Sequence, residues 1–412
     1  MAGFIKGTFA ALAVRPFRIL WLGSVLAFVG FFMSTVVQSV VAFDLTGENR
    51  AVGLVTFAQG LMMFTFAPLG GALSDRLPKR RVIAICQLAT MASFFAISWA
   101  IATGRIQMMY LVVGSLIMGA SFAFLGPARQ SLAVELVGEK LRGNAVALTQ
   151  IANNGCRVLG PALGGAFLAW FSDGAAIAYV VMGLFYLSSI LSLILLPKSK
   201  VREGARNQHV LADMLDGMRY VRDHRKLRRL MLLFTLVIMI GFPHVTLLPG
   251  LVENELGTPA AQSGTLWAVS AFGALAASLV VARKADSDNA PKLFSRLALG
   301  FGAALVVTAT SPSFSTIVLL MVFVGALSGS FQVLGGAVIV RFTEPRYVGR
   351  VMSLTMLSFA GFGLVGLPIG LLADAVGERA TFATLGAAVC LIALAFRPPS
   401  PDPISPPQPS LP

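Results

Sequence analysis

Long apolar runs recur along this chain, and short polar clusters separate them. An α-helix needs about 20 apolar residues to cross the hydrocarbon core of a bilayer. By that measure spans are expected at 17–43, 51–73, 82–102, 108–132, 143–170 and 175–196. After a polar stretch, six more follow at 229–251, 262–282, 292–310, 314–340, 350–373 and 380–396. The expected fold is an all-α membrane protein: twelve transmembrane helices in two pseudo-symmetric six-helix bundles. The bundles occupy 1–196 and 229–396, joined by a linker at 197–228. Residues 397–412 are rich in Pro and Ser and read as an extended, disordered tail.

The linker has its own pattern. Val210, Leu211, Met214, Leu215, Met218 and Val221 fall at helical spacing, with Arg219, Arg222 and Arg225 on another face. Such an amphipathic helix fits the inner membrane surface and fits a solvated linker equally. The halves also resemble each other. At an offset of 206 residues Gly119-Ala120 meets Gly325-Ala326, and Gly143, Gly155, Gly160 and Gly164 meet Gly349, Gly361, Gly366 and Gly370. Leu148 likewise meets Leu354. Parallel repeats of this kind place a substrate path at the interface of the halves, near the bilayer midplane.

Composition agrees. Of 412 residues 56% are hydrophobic and only 12% charged, against roughly a quarter charged in soluble domains. The net charge of +14 is explained by topology rather than nucleic acid, because the cations alternate between connections. One set holds Lys6, Arg15 and Arg18; Arg76, Lys79, Arg80 and Arg81; Arg129, Lys140 and Arg142; and the stretch from Lys198 to Arg229. It continues with Arg283, Lys284, Lys292 and Arg296, then Arg341, Arg346 and Arg350, and Arg397. The other set holds Arg50, Arg105 and Arg379. The positive-inside rule puts the crowded side and both termini in the cytoplasm. The first apolar run reads as an uncleaved helix. Cys86, Cys156 and Cys390 lie in apolar runs and read as small core residues. The sequence offers no P-loop, no metal-ligand cluster and no nucleophile–base pair, so neither enzyme chemistry nor a cofactor is expected.

Two segments carry a recognisable pattern. The connection after the second span reads Gly71-Ala-Leu-Ser-Asp75-Arg76-Leu-Pro78-Lys79-Arg80-Arg81. Topogenic charge explains the basic run. Asp75 at a helix end can also accept hydrogen bonds from a neighbouring helix N-terminus. This loop resembles the signature loop of the major facilitator superfamily, with Pro78 where the family has a second Gly. The resemblance implies a gating latch made of Gly71, Asp75, Arg76, Lys79 and Arg80. The fifth span contains Cys156-Arg157-Val-Leu-Gly160-Pro161-Ala-Leu-Gly164-Gly165. Pro161 frees a carbonyl and bends the helix, and the glycines permit a close neighbour. It resembles the antiporter motif of the same superfamily, with Cys156 in place of the first Gly. Gly126-Pro127-Ala128-Arg129 with Arg142-Gly-Asn144, and Phe43-Asp44-Leu-Thr46-Gly47, are similar to the branch containing the enterobactin exporter. These resemblances imply proton-coupled efflux of small amphipathic organic compounds, siderophore-like or drug-like, by alternating access. An uptake symporter and a non-transporting receptor or scaffold are the alternatives. The expected partners are a small-molecule substrate, protons and the lipid bilayer, with the chain acting as a monomer and no nucleic acid bound.

Charged groups at membrane depth are costly and are functional candidates by default. Arg157 lies about 15 residues into its span, near the midplane. Gln150, Asn153, Asn154 and Arg157 form one polar stripe at helical spacing. Either the stripe faces a central cavity, where Arg157 attracts an anionic group, or Arg157 is a structural cation. The repeat sets Gly363 at the position of Arg157. His244 beside Pro243 could titrate, or could brace a helix kink. Asp44 and Glu253, at outer helix ends, are further proton candidates. Phe28, Phe31, Phe32, Gln38, Gln59 and Met62 fit a cavity lining or, for the phenylalanines, lipid contact.

Overall fold

The computed structural model describes residues 9–197, 210–285, 287–344 and 346–396, without the side chains at 68–76, 140, 154, 158, 210–214, 282 and 356. The first half comprises α1 (Arg15–Thr46), α2 (Asn49–Arg76), α3 (Lys79–Ala102), α4 (Met108–Val137), α5 (Arg142–Trp170) and α6 (Gly174–Ile194). The linker helix is α7 (Val210–Asp223). The second half comprises α8 (Arg225–Gly241), α9 (Leu248–Asn254), α10 (Ser263–Ala282), α11 (Ala290–Ala309), α12 (Phe314–Arg341), α13 (Val348–Val376) and α14 (Glu378–Ala395). Local chemistry sets the ends. Pro16 opens α1, where its missing N–H costs nothing. Gly47, at φ 68°, closes it with its N–H on the Phe43 carbonyl.

Among the described residues, eleven segments are long and apolar enough to cross a membrane. The remaining span, α5, has the length, 29 residues, but carries the polar stripe. Several helices outrun their apolar cores; α4 continues to Val137, for example. The repeat is visible in the backbone. α4 and α12 begin at Met108 and Phe314, and α5 and α13 run Arg142–Trp170 and Val348–Val376, each 206 residues apart.

Three expectations need correction. The seventh span is not a continuous helix over 229–251. It is α8, a 3₁₀ stretch at Phe242–Leu247, then α9. Pro243 and Pro249 each remove a donor from the ladder. Within this stretch His244 Nδ1 donates to the Gly241 carbonyl and Thr246 Oγ1 to the Pro243 carbonyl, each at 2.7 Å. Second, Arg129 is not a loop charge. It lies inside α4, 5% exposed, with its guanidinium 5.2 Å from the Phe28 ring centroid. Third, α7 lies neither free in solvent nor on a membrane surface alone. Tyr220 stacks on Tyr347 at 4.0 Å, and Asp216 pairs with Arg350 at 2.5 Å, so the helix docks on the second half.

Each half has its own apolar core, centred on Phe94, Tyr179 and Tyr186 in the first and on Phe234, Phe294 and Phe331 in the second. One polar cross-brace ties the second half together. Arg379 donates to Glu255 Oε2 at 2.7 Å and to the carbonyls of Ser311 and Ala309 at 2.6 and 3.1 Å. Arg379→Ala strands those acceptors. It is expected to lower unfolding stability in detergent by about 1.5–3 kcal/mol, the worth of hydrogen bonds to a charged group. A denaturant titration that shows no shift overturns this assignment.

Candidate functional site

The halves meet along two crossed helix pairs, α2 with α13 and α5 with α10. Glycines make both seams. A Cβ on Gly60 would lie 2.5 Å from Gly363 Cα, one on Gly53 2.5 Å from the Gly366 carbonyl, and one on Gly165 2.7 Å from Gly264 Cα. Only a missing side chain lets these backbones touch. The seams lie toward the helix ends that carry Arg50, Arg105 and Arg379, the charge-poor end. Toward the charge-rich end, among the described residues, no glycine packs between the halves; Gly23 and Gly335 there pack within their own half. A Cβ on Gly126, Gly143, Gly155, Gly336 or Gly349 would meet nothing within 4 Å. The hydrogen bonds described between the halves follow the same division. They lie at the level of Arg157 or nearer the charge-poor end.

Arg157 stands where the seam stops. It is 15 residues from Arg142 and 13 from Trp170, halfway along α5. Its Nη1 donates to Gln332 Oε1 of α12 at 2.6 Å. Its guanidinium carbon lies 5.4 Å from the Phe32 ring of α1 and 5.3 Å from the Phe359 ring of α13. Four helices from both halves therefore converge on one cation. Nε is buried without a hydrogen-bond partner, and among the described residues no carboxylate pairs with the side chain. Two aromatic faces return about 0.5–2 kcal/mol each. Together they are of the same order as the roughly 2.5–3.5 kcal/mol that a mid-membrane cation costs. Along the stripe, Asn153 Oδ1 is buried without a partner and Gln150 is exposed; the Asn154 side chain lies outside the described residues.

The antiporter-like motif places its glycines on two surfaces. Gly160 and Gly164 receive Phe32 and Met33 of α1, and Gly165 receives α10, while Pro161 sits within α5. The side chains of Gly71, Asp75 and Arg76 lie outside the described residues. Lys79 pairs with Glu135 at 2.9 Å, and Arg80 donates to the Leu196 carbonyl at 2.7 Å, both within the first half. His244 is 2% exposed between Phe301 and Phe382, inside the second bundle, with Nε2 unpartnered. Asp44 and Glu253 come together at the charge-poor end, lining a cavity of about 470 Å³ with Thr258 and Ala260. Gln38 is held by the Leu111 carbonyl and Ser115 of α4, at 2.9 and 2.7 Å. Phe31 stacks on Phe122 at 4.5 Å.

A second constellation escaped the sequence reading. At the charge-poor end Asp374, in the last turns of α13, accepts from the first two N–H groups of α2. Asn49 N–H reaches Oδ1 at 2.8 Å and Arg50 N–H reaches Oδ2 at 3.0 Å. Beside it Glu378, 4% exposed, accepts from the side chains of Asn49 at 2.8 Å and Asn254 at 2.6 Å. A carboxylate on a helix N-terminus meets both orphan donors and the positive end of the dipole. The second half thus supplies the acids that close this end. The position of Asp374 at the end of an apolar run was a visible signal; its partner helix was not.

Known proteins resemble the chain over most of its length. The family described as transmembrane secretion effector matches residues 6–398. The staphyloferrin A transporter of Staphylococcus aureus is 23% identical, with 86% of this chain and 89% of that protein aligned. Macrolide efflux protein A of Streptococcus pyogenes is also 23% identical, covering 92% and 94%. The multidrug efflux pump Tap of Mycobacterium tuberculosis is 26% identical, covering 86% of each. Among solved structures, the nucleoside transporter NupG superposes with a TM-score of 0.72 at 13% identity, over 93% of this chain and 98% of that one. The D-xylose–proton symporter gives 0.72 at 15%, over 92% and 97%. With twelve membrane helices in two glycine-seamed halves, the chain belongs to the transmembrane secretion effector family and is a transporter of the major facilitator superfamily.

Proposed function

We propose that this transporter exports small amphipathic organic compounds across the bacterial inner membrane, exchanging them for protons by alternating access. The charge-rich end and both termini face the cytoplasm, as the positive-inside rule requires. The observation that carries the reading is the asymmetric seam. The glycine contacts described between the halves all lie on the charge-poor side of Arg157, and Gly126, Gly143, Gly336 and Gly349 on the other side face open space. A path divided in this way offers the polar level at Arg157 to the cytoplasm while the outer side is shut. Efflux rather than uptake is supported by the antiporter-like motif and by relatives named as macrolide and multidrug efflux proteins. Asp75 and Arg76 then serve as the inner latch, used when the cytoplasmic side closes.

The test is a deletion strain and its complement, screened for susceptibility to a compound panel and for retained metabolites. The screen is followed by flux in proteoliposomes with an imposed pH gradient. The expected outcome is substrate moving out against inward proton flow, with at least tenfold loss of transport, a 1.4 kcal/mol effect, when the gradient is collapsed. Substrate and protons moving together would establish uptake by symport instead. Efflux unchanged without the gradient would remove proton coupling.

A further inference from the structure

Resting on the transport reading above, we propose that Arg157 recognises a carboxylate on the substrate, so that the transporter selects amphipathic anions over neutral and cationic compounds of the same shape. The guanidinium has five donors in a planar fork. Nη1 is committed to Gln332 Oε1 at 2.6 Å. That bond leaves the Nε–Nη2 edge, and Nε is buried without a partner. This edge is the one that takes a carboxylate side-on through two parallel N–H···O bonds. A structural arginine in a membrane core is normally neutralised by an acid or saturated by carbonyls. Arg157 has one amide oxygen and two aromatic faces.

The surroundings fit the rest of such a ligand. Phe32 and Phe359 come from opposite halves, and their rings offer apolar surface to a flat body attached to the carboxylate. Asn153, one turn away on the same face of α5, adds a buried amide whose Oδ1 has no partner. Since Phe32 and Arg157 belong to one half and Gln332 and Phe359 to the other, an anion bound here touches both bundles. It can therefore bias their relative position. Arg129, the other deep arginine, is covered by Phe28 within the first half and spans no such boundary.

The test uses full-length protein in lipid nanodiscs and three probes of one frame: 2-naphthoate, 2-naphthamide and 2-naphthylmethylammonium. Equilibrium binding is measured with radiolabelled naphthoate and by competition. Wild-type protein is expected to bind naphthoate about tenfold or more tightly than the amide or the ammonium. In Arg157→Gln that preference disappears, naphthoate falling to the level of the amide, while an unchanged thermal unfolding midpoint shows that the protein is still folded. In Arg157→Lys it is partly kept, because an ammonium supplies charge without the fork. Equal binding of all three probes by wild type, no naphthoate binding at millimolar concentration, or an intact preference in Arg157→Gln overturns the assignment. Protein that exports substrate yet shows no anion preference leaves the transport reading standing. Anion binding without export in vesicles sinks the transport reading alone.

Discussion

Gly363→Leu is expected to reduce transport to the background of the empty membrane, although Gly363 holds no ligand. Even a Cβ at this position would press on Gly60 Cα at 2.5 Å and on Gly60 N at 2.9 Å, both backbone atoms that cannot rotate aside. Relief requires α13 to move off α2. That opens the charge-poor seam from its middle outward, past Gly53 and Gly366. Overpacking costs about 1–3 kcal/mol, which shifts a two-state balance roughly 5–150-fold. A carrier that cannot shut one side cannot alternate. Spin labels at Glu48, half-buried, and Val376, exposed at this end, should report a longer distance in Gly363→Leu, and Gly363→Ala should fall between it and wild type. Wild-type transport by the Leu variant would mean that the seam takes no part in the cycle.

The repeat shows what a sequence can and cannot say about such a protein. Gly160 and Gly366 are partners in the 206-residue register, as are Gly164 and Gly370, and that register was legible. Their roles were not. Gly160 and Gly164 pack against α1 within their own half, whereas Gly366 and Gly370 pack across the interface on α2. The same small residue serves two surfaces, and only the tertiary arrangement decides which. The depth of Arg157 followed from counting residues along a helix. Its partner Gln332, 175 positions away, could not follow from any local pattern. Arg129 was misplaced for the opposite reason. A cation near the end of an apolar run reads as a loop charge unless an aromatic ring is known to cover it.

The acids tell a related story. The sequence concentrated its recognisable chemistry in the first six helices, at Asp75 and Arg157. The structure gives the second half a latch of its own. α2 and α13 run antiparallel, since Asn49 opens α2 where Asp374 closes α13. At the charge-poor end the acid near the end of α13, Asp374, therefore falls beside the start of α2. One carboxylate on one helix N-terminus can hold one state of a two-state gate.

Asp374→Ala is accordingly expected to release the charge-poor end. It leaves the first two N–H groups of α2 without their acceptor, and losing such a cap costs about 0.5–2 kcal/mol. The measurement is maleimide labelling of Thr56→Cys, a seam residue against Gly366, in a chain with Cys86, Cys156 and Cys390 replaced. Labelling from the charge-poor side should rise severalfold in Asp374→Ala and less in Asp374→Asn, which keeps one acceptor oxygen. Glu378→Ala should act more strongly, since Glu378 is 4% exposed and its loss strands the Asn49 and Asn254 amides together. Both acids hold Asn49, one through its backbone and one through its side chain, so their effects should not add. A double mutant departing from the sum by about 0.5 kcal/mol or more would show one latch. Strict additivity, or labelling that stays at the wild-type level in both single variants, would mean that the glycine seam alone keeps this end closed.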